Sequence, residues 1–319
     1  MLHLILILIP LIFQQTKPDQ TSFNCLASLD DKTLIAIGAD GTVAKTIDAG
    51  ATWTIEQNVR NIKEPLTAIA FSDSKTGWVV GKEGTILKTT NSGATWNKSG
   101  QNFTRDLNAI YFINPDIGWI TGSRGYILRT TNGGLKWDKQ YSNTLNDLSS
   151  IWFTSSSNGV AVGAKGTIVH TTDGGITWKN VQAITTSFLK SVSFVDSLHG
   201  WACGGYGAIL HTTDGGASWF KQNEDEDYLV FRTNNFNFKI RFADKYYGWT
   251  VGSEGLILHT TDGGNTWNKQ NSTTEIPLTD IVLTKRMNAF AIGYLGTFLS
   301  TNDGGKTWNQ ILMKRKQNK

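Results

Sequence analysis

The chain has 319 residues, of which 33 are glycine, 5 proline and 12 tryptophan, and its formal net charge is +4. Many glycines without a collagen period, set among aromatic residues, exclude collagen and disorder, and so mild a positive surplus makes no case for nucleic acid.

The first thirteen residues, MLHLILILIPLIF, are apolar, and QQTKPDQTS then turns polar. So short a run does not span a bilayer ~30 Å thick as a helix. It suits the apolar core of a secretory signal, although no Lys or Arg precedes it and no A-x-A site follows it. The expectation is a signal peptide over residues 1–20 and a periplasmic or secreted protein, with an uncleaved membrane anchor as the alternative. Cys25 lacks the small-residue context of a lipoprotein acceptor.

From residue 21 to 313 the chain repeats itself. GWVVGKEGTILKTTNSGATW, ending at Trp96, returns as GWITGSRGYILRTTNGGLKW, GVAVGAKGTIVHTTDGGITW, GWACGGYGAILHTTDGGASW and GWTVGSEGLILHTTDGGNTW, with looser copies ending at Trp53 and Trp308. The closing residues Trp53, Trp96, Trp137, Trp178, Trp219, Trp267 and Trp308 are 43, 41, 41, 41, 48 and 41 residues apart. A period near 41 with strand-like content means repeated β-units. In one unit, LNAIYF (Leu107 to Phe112), GWITG, YILRTT and KWDKQ read as strands. INPDI, the two-glycine loop GSRG and NGG read as the turns between them. Four antiparallel strands per unit make one blade, and seven units predict a single all-β domain, a seven-bladed β-propeller. Each copy holds its own four strands, so no shared closing blade is required. MKRKQNK, with 314–319 as a basic tail, reads as solvated. Cys25 and Cys203 fall in the first and fifth units, too far apart for a disulfide, and are expected as buried free thiols.

The turn before each closing tryptophan carries an acid or amide: Asp48, Asn91, Asn132, Asp173, Asp214, Asp262 and Asp303. Such side chains accept from backbone N–H groups two residues on, and the following glycine permits a left-handed conformation. The tryptophan then buries a large apolar face. Equivalent groups around a seven-fold ring point away from one another, so these acids are read as structural, with no metal and no catalytic role. This turn is similar to the Asp-box, or bacterial neuraminidase repeat. The fuller pattern GxxGxILxTTDGGxTW resembles the photosystem II stability and assembly factor family, over nearly the whole chain after residue 23. That resemblance implies a seven-bladed propeller. In photosynthetic organisms it implies a lumenal or periplasmic factor that binds newly made photosystem II subunits; elsewhere it implies a binding propeller. Nothing in the chain indicates photosynthesis.

Function is sought where the repeats differ. The 48-residue spacing places an insertion in FKQNEDEDYLVFRTNNFNF (Phe220 to Phe238), which joins the fifth blade to the sixth on the face of the two-glycine hairpins. Its acids Glu224, Asp225, Glu226 and Asp227, with Tyr228, are either a solvated loop, a partner-binding loop or a metal site. On the same face stand Lys82, Arg124, Lys165, Tyr206 and Tyr294, and a shorter excess (Thr54 to Pro65) adds Arg60 and Lys63. A second variable column, in the third strand, reads Lys45, Lys88, Arg129, His170, His211, His259 and Ser300. Its histidines are too far apart to share an ion. They are expected to cap the strand with a polar head or to lie over an aromatic ring of the adjacent blade, with Lys and Arg as cation–π partners. A basic binding stripe of Lys45, Lys88 and Arg129 is the second reading. Sialidase chemistry needs converging arginines, and the blades are too regular for its pocket. Glycoside hydrolysis needs two facing carboxylates, and the channel-face acids are few, chiefly Asp40, Glu83 and Glu254. Trp152, out of register in a first strand, is expected in the core. The sequence therefore predicts a non-catalytic, exported scaffold without cofactor, binding a protein partner as a monomer; a glycan-binding or glycoside-hydrolase propeller is the alternative.

Overall fold

The computed structural model describes residues 21–222 and 236–316. Seven four-stranded antiparallel sheets follow one another, each built from four consecutive strands. Blade 1 begins with Phe23–Ser28 and blade 7 ends with Asn309–Gln310, so each blade is indeed self-contained. The innermost strands ring a central axis and contact those of both neighbouring blades. Residues 1–20, which carry the export reading, lie outside the described residues, as does the acidic insertion from Glu224 to Tyr228. Among the described residues no helix is long and apolar enough to cross a membrane.

Each second strand, such as Gly77–Gly81, is buried along nearly its whole length because it lies between two blades. Its two glycines are required for different reasons. A Cβ on Gly77 would stand 2.6 Å from the Phe71 ring, and one on Gly81 would stand 2.7 Å from the Pro65 carbonyl. Of the two hairpin glycines, one supplies a positive φ. Gly84 does, at φ 72°, but Gly81 is extended at φ −161° and must be small because the incoming chain crosses over it.

Blades are joined by aromatic stacks. Trp119 lies on Phe153 of the next blade at 3.5 Å and 9°, and Trp201 lies on Phe242 at 3.6 Å and 8°. The indole N–H groups reach further, Trp119 to Gly174 O at 3.0 Å and Trp201 to Gly263 O at 2.9 Å, both in turns of the following blade. Trp53, Trp96, Trp137, Trp178, Trp219, Trp267 and Trp308 are all buried, at 0–6% exposure, and each removes a large apolar surface from water.

In the third-strand column Lys88, Arg129, His211 and His259 lie over a tryptophan of their own blade, which corrects the expectation of the adjacent one. Register pairs Trp78 with Lys88 and Trp201 with His211 across the sheet. Lys88 Nζ sits 4.9 Å from the Trp78 centroid, the Arg129 guanidinium 6.0 Å from Trp119, and His211 stacks on Trp201 at 4.6 Å. Only the polar tips cross the seam: Lys45 Nζ donates to Ser92 O at 2.7 Å and Lys88 Nζ to Gly133 O at 2.8 Å.

Lys314, Arg315 and Lys316 keep exposed side chains, while their backbone is paired. Lys314 O accepts from Trp53 N at 2.8 Å, and Lys316 N donates to Trp53 O at 2.7 Å, a parallel bridge onto blade 1. Met313, 2% exposed, packs in the cluster that contains Trp53 and Phe298. Residues 313–316 thus clasp the first blade. Cys25 and Cys203 are buried and unpaired with each other.

Candidate binding channel

On each innermost strand the ladder slips at the second residue, as between Leu66 and Ala68 or Leu189 and Ser191. Such a bulge turns two successive side chains toward one side, so the second and third positions both reach the axis, together with the fifth. The third is small on several blades, with Ala68, Ala109, Ser150 and Ser191, and a cavity of about 600 Å³ remains.

The lining is cationic. Lys82, Lys190, Lys239 and Arg241 face the cavity, and no Asp or Glu is among its described lining residues. Lys82 is neutralised by Asp106 at 2.9 Å and Lys239 by Asp280 at 3.2 Å. Asp280 lies behind the wall at 1% exposure, where its carboxylate also accepts from the Cys25 thiol at 2.9 Å, Leu26 N at 3.0 Å and Ile281 N at 2.8 Å. A buried carboxylate held by so many donors is satisfied. Burial, then the Asp280 charge, push the Cys25 thiol up to about 11, so it remains a donor and not a nucleophile.

Lys190 and Arg241 have no carboxylate partner within ion-pair distance among the described residues. Lys190 is exposed to the channel yet ringed by protein, and that enclosure, with Lys239 and Lys82 nearby, holds its ammonium below the usual lysine range. Arg241 donates to Ile240 O at 3.1 Å and lies 5.6 Å over the Trp152 ring. Tyr111 stands 5.2 Å from Trp152, and its hydroxyl is pushed up to about 12 by burial, against the opposing charge of Arg241.

The residues singled out from sequence divide in this frame. Lys82 and Tyr294 occupy the first position of their loops and line the cavity. Arg124, Lys165 and Tyr206 occupy the second, at φ 55°, 56° and 55°, and stand exposed on the rim. Glu83 and Glu254 share that outward position, so neither is a channel acid. Lys45 and Lys88 bond the next blade, and half-buried Arg129 lies over Trp119, so the stripe they were expected to form is seam and not open surface. Arg60 likewise donates to Asn97 Oδ1 of blade 2.

The turn residues act locally. Asp214 Oδ1 accepts from Thr212 Oγ1 at 2.8 Å and Ser218 N at 2.9 Å, while Oδ2 accepts from Ser218 Oγ at 2.6 Å. Asp48, Asp173, Asp262 and Asp303 repeat this set, and Asn91 and Asn132 keep its Oδ1 half. The backbone donor is four residues on, not the expected two. Among the described residues no three His, Cys, Asp or Glu side chains gather as metal ligands.

Sequence reasoning passed over Lys190, Lys239, Arg241 and Asp280, and it assigned Trp152 to the core, whereas Trp152 is half-buried and lines the cavity. The signal was available in the innermost-strand columns, where Lys, Arg, Trp and Tyr replace the Ala and Ser of other copies.

Fold and site together define a seven-bladed propeller around a cationic axial channel. The chain belongs to the photosynthesis system II assembly factor YCF48 family, whose sequence model matches residues 12–90, 89–183, 141–222 and 176–278. A structure of YCF48 bound to D1 peptide superposes with a TM-score of 0.73 at 20% identity, covering 89% of this chain and 92% of that one. YCF48 from Cyanidioschyzon merolae gives 0.72 at 18% identity, covering 90% and 97%. A GH74 xyloglucanase from Xanthomonas campestris gives 0.76 at 10% identity, covering 93% of this chain but 55% of that one, so the chain spans about half of that enzyme. Sequence comparison with curated proteins finds no match.

Proposed function

We propose that this protein is a non-catalytic, exported binding propeller that holds an extended acidic segment of a partner protein in its axial channel. The observation that carries the reading is the lining itself, with two cations that lack an ion-pair partner and no carboxylate among its described residues. Glycoside hydrolysis requires two carboxyl groups roughly 5–10 Å apart across a cleft. Asp280, the partner of the lining Lys239, is behind the wall and engaged by four donors. The structure of YCF48 with a peptide supports a polypeptide ligand for a propeller of this family. Export rests on the apolar run of residues 1–13.

The test is fluorescence polarisation with labelled hexaglutamate and hexalysine on the purified protein. Hexaglutamate alone should bind, with an affinity that falls as salt rises, and Lys190→Glu should remove that binding at unchanged melting temperature. Equal binding by Lys190→Glu, or release of reducing sugar from xyloglucan, would overturn the reading.

A further inference from the structure

At the fifth position of the innermost strands, blades 1, 2 and 5 carry Ala27, Ala70 and Ser193, whereas blades 3, 4 and 6 carry Tyr111, Trp152 and Arg241. The small residues show that the propeller closes without bulk at this level. The three large ones gather along one side of the channel, with Arg241 5.6 Å from the Trp152 ring and Tyr111 5.2 Å from it at 43°. Part of Trp152 packs into the blade-4 core, where Val160 stands opposite it in the sheet. The rest faces the cavity, and Ala68 and Ala70 on the same cavity's wall leave room before it.

We infer that Trp152, flanked by Tyr111 and Arg241, forms a specificity-determining platform for a planar aromatic side chain of the segment bound in the channel. This rests on the proposed function and adds to it a second point of recognition. An indole beside a guanidinium attracts a ring through stacking, and stacking adds to area burial. Arg241 has five N–H donors in a planar fork and gives one bond to protein at Ile240 O, so it retains donors for a carbonyl or carboxylate next to that ring. Lys190 sits on the adjacent strand at the second position, three residues toward the hairpin face, a rise of ~10 Å. A ligand in the polyproline II conformation, with three residues per turn, covers that distance in about three residues and presents both side chains to the same wall. The matching segment therefore carries an acid and an aromatic residue three positions apart.

The probes are two labelled octapeptides that differ at one residue, Gly-Gly-Glu-Ala-Ala-Trp-Gly-Gly and its counterpart with Ala in place of Trp, measured at low salt. The wild type should bind the Trp peptide at least tenfold more tightly. Trp152→Ala should reduce that preference below twofold and keep the weak, salt-sensitive binding common to both peptides. Trp152→Phe should retain most of the preference, and Lys190→Gln should weaken both peptides equally. Persistence of the preference in Trp152→Ala, or its loss in Trp152→Phe at unchanged melting temperature, would overturn the platform. Equal binding of both peptides by the wild type would overturn it too, and would leave the channel reading intact. Binding of neither, with hexaglutamate also unbound, would overturn both. Trp152-dependent capture of tetragalacturonate in preference to the Trp peptide would overturn the assignment of a peptide.

Discussion

Trp78 lies flat on Phe112, 3.6 Å between centroids and 8° from parallel, although the two rings belong to consecutive blades. The Lys88 ammonium covers the other region of the same indole at 4.9 Å and donates to Gly133 O, the carbonyl that also accepts from Trp78 Nε1 at 3.3 Å. Each of the seams after blades 2, 3 and 5 is thus a small sandwich of cation or imidazole, indole and phenyl ring. Its polar atoms end on the neighbouring blade's turn. Successive blades are held by repeated side-chain packing, to which a backbone bridge is added where residues 314–316 meet Trp53 of blade 1.

Phe112→Ala removes the outer layer of one such sandwich at a residue only 7% exposed. The expected loss is about 3–5 kcal/mol, the range for deleting a buried aromatic ring. Phe112→Leu should lose clearly less, because it keeps part of the volume. Urea midpoints of the two variants check this, and equal losses would show that ring stacking contributes nothing beyond volume.

Asp214 gathers three donors within its own turn, and its loss leaves Ser218 N and the Thr212 hydroxyl without an acceptor. Asp214→Ala should therefore cost about 1–2 kcal/mol and leave channel binding unchanged. Asp214→Asn should cost less, since Asn91 and Asn132 fill the same place in blades 2 and 3 and keep the bonds to Oδ1. Thermal melting with hexaglutamate binding as a second readout separates the two effects. Loss of binding at constant melting temperature would give the turn a functional role.

The fold could be read from sequence because it is written seven times. The turn acid, the glycines and the closing tryptophan recur at fixed offsets, and chance does not produce that. The channel could not be read the same way, because its residues lie in the first strand, outside the repeated motif. There, a bulge breaks the simple alternation that would have told axis-facing from core-facing positions. Asp280 is a carboxylate in a strand that reads as surface, until Lys239 and Cys25 are seen to meet it from neighbouring blades. The two-glycine loops misled by one residue: Lys82 points inward and Arg124, one place later in its loop, points out. The histidine column was legible as an aromatic contact, but the partner ring was placed one blade away because strand register is not visible in spacing.

His211 stacks on Trp201 inside a seam, and burial, with His199 nearby, lowers its ring to about 4 from an ordinary value near 6.5. Between those values the unfolded chain binds a proton that the folded chain refuses. Stability therefore falls as pH drops from about 6.5 to about 4, by as much as ~3 kcal/mol from this residue. His170 and His259 shift in the same direction, also through burial. The melting temperature should drop on acidification through this window, and His211→Gln should be less stable at pH 7 but less sensitive to acid. A parallel decline in both proteins would show that His211 does not carry the effect.

The clasp between the chain's end and blade 1 joins the two blades that are farthest apart in sequence. It combines a buried Met313 with two backbone hydrogen bonds to Trp53. Removing residues 313–319 should cost roughly 2–5 kcal/mol from the methionine alone, with about 1 kcal/mol more for each backbone bond. The innermost strands of blades 1 and 7 remain joined through Thr279 Oγ1 to Phe23 O at 2.8 Å and through Asp280 to Cys25. The truncated protein should therefore keep its ring and open locally, with faster proteolysis near Trp53 and unchanged hexaglutamate binding. Met313→Ala keeps the backbone bonds and should show the stability loss without the new cleavage. If truncation instead abolishes binding, the clasp holds the channel itself in shape, and the seam between blades 1 and 7 is weaker than its inner contacts indicate.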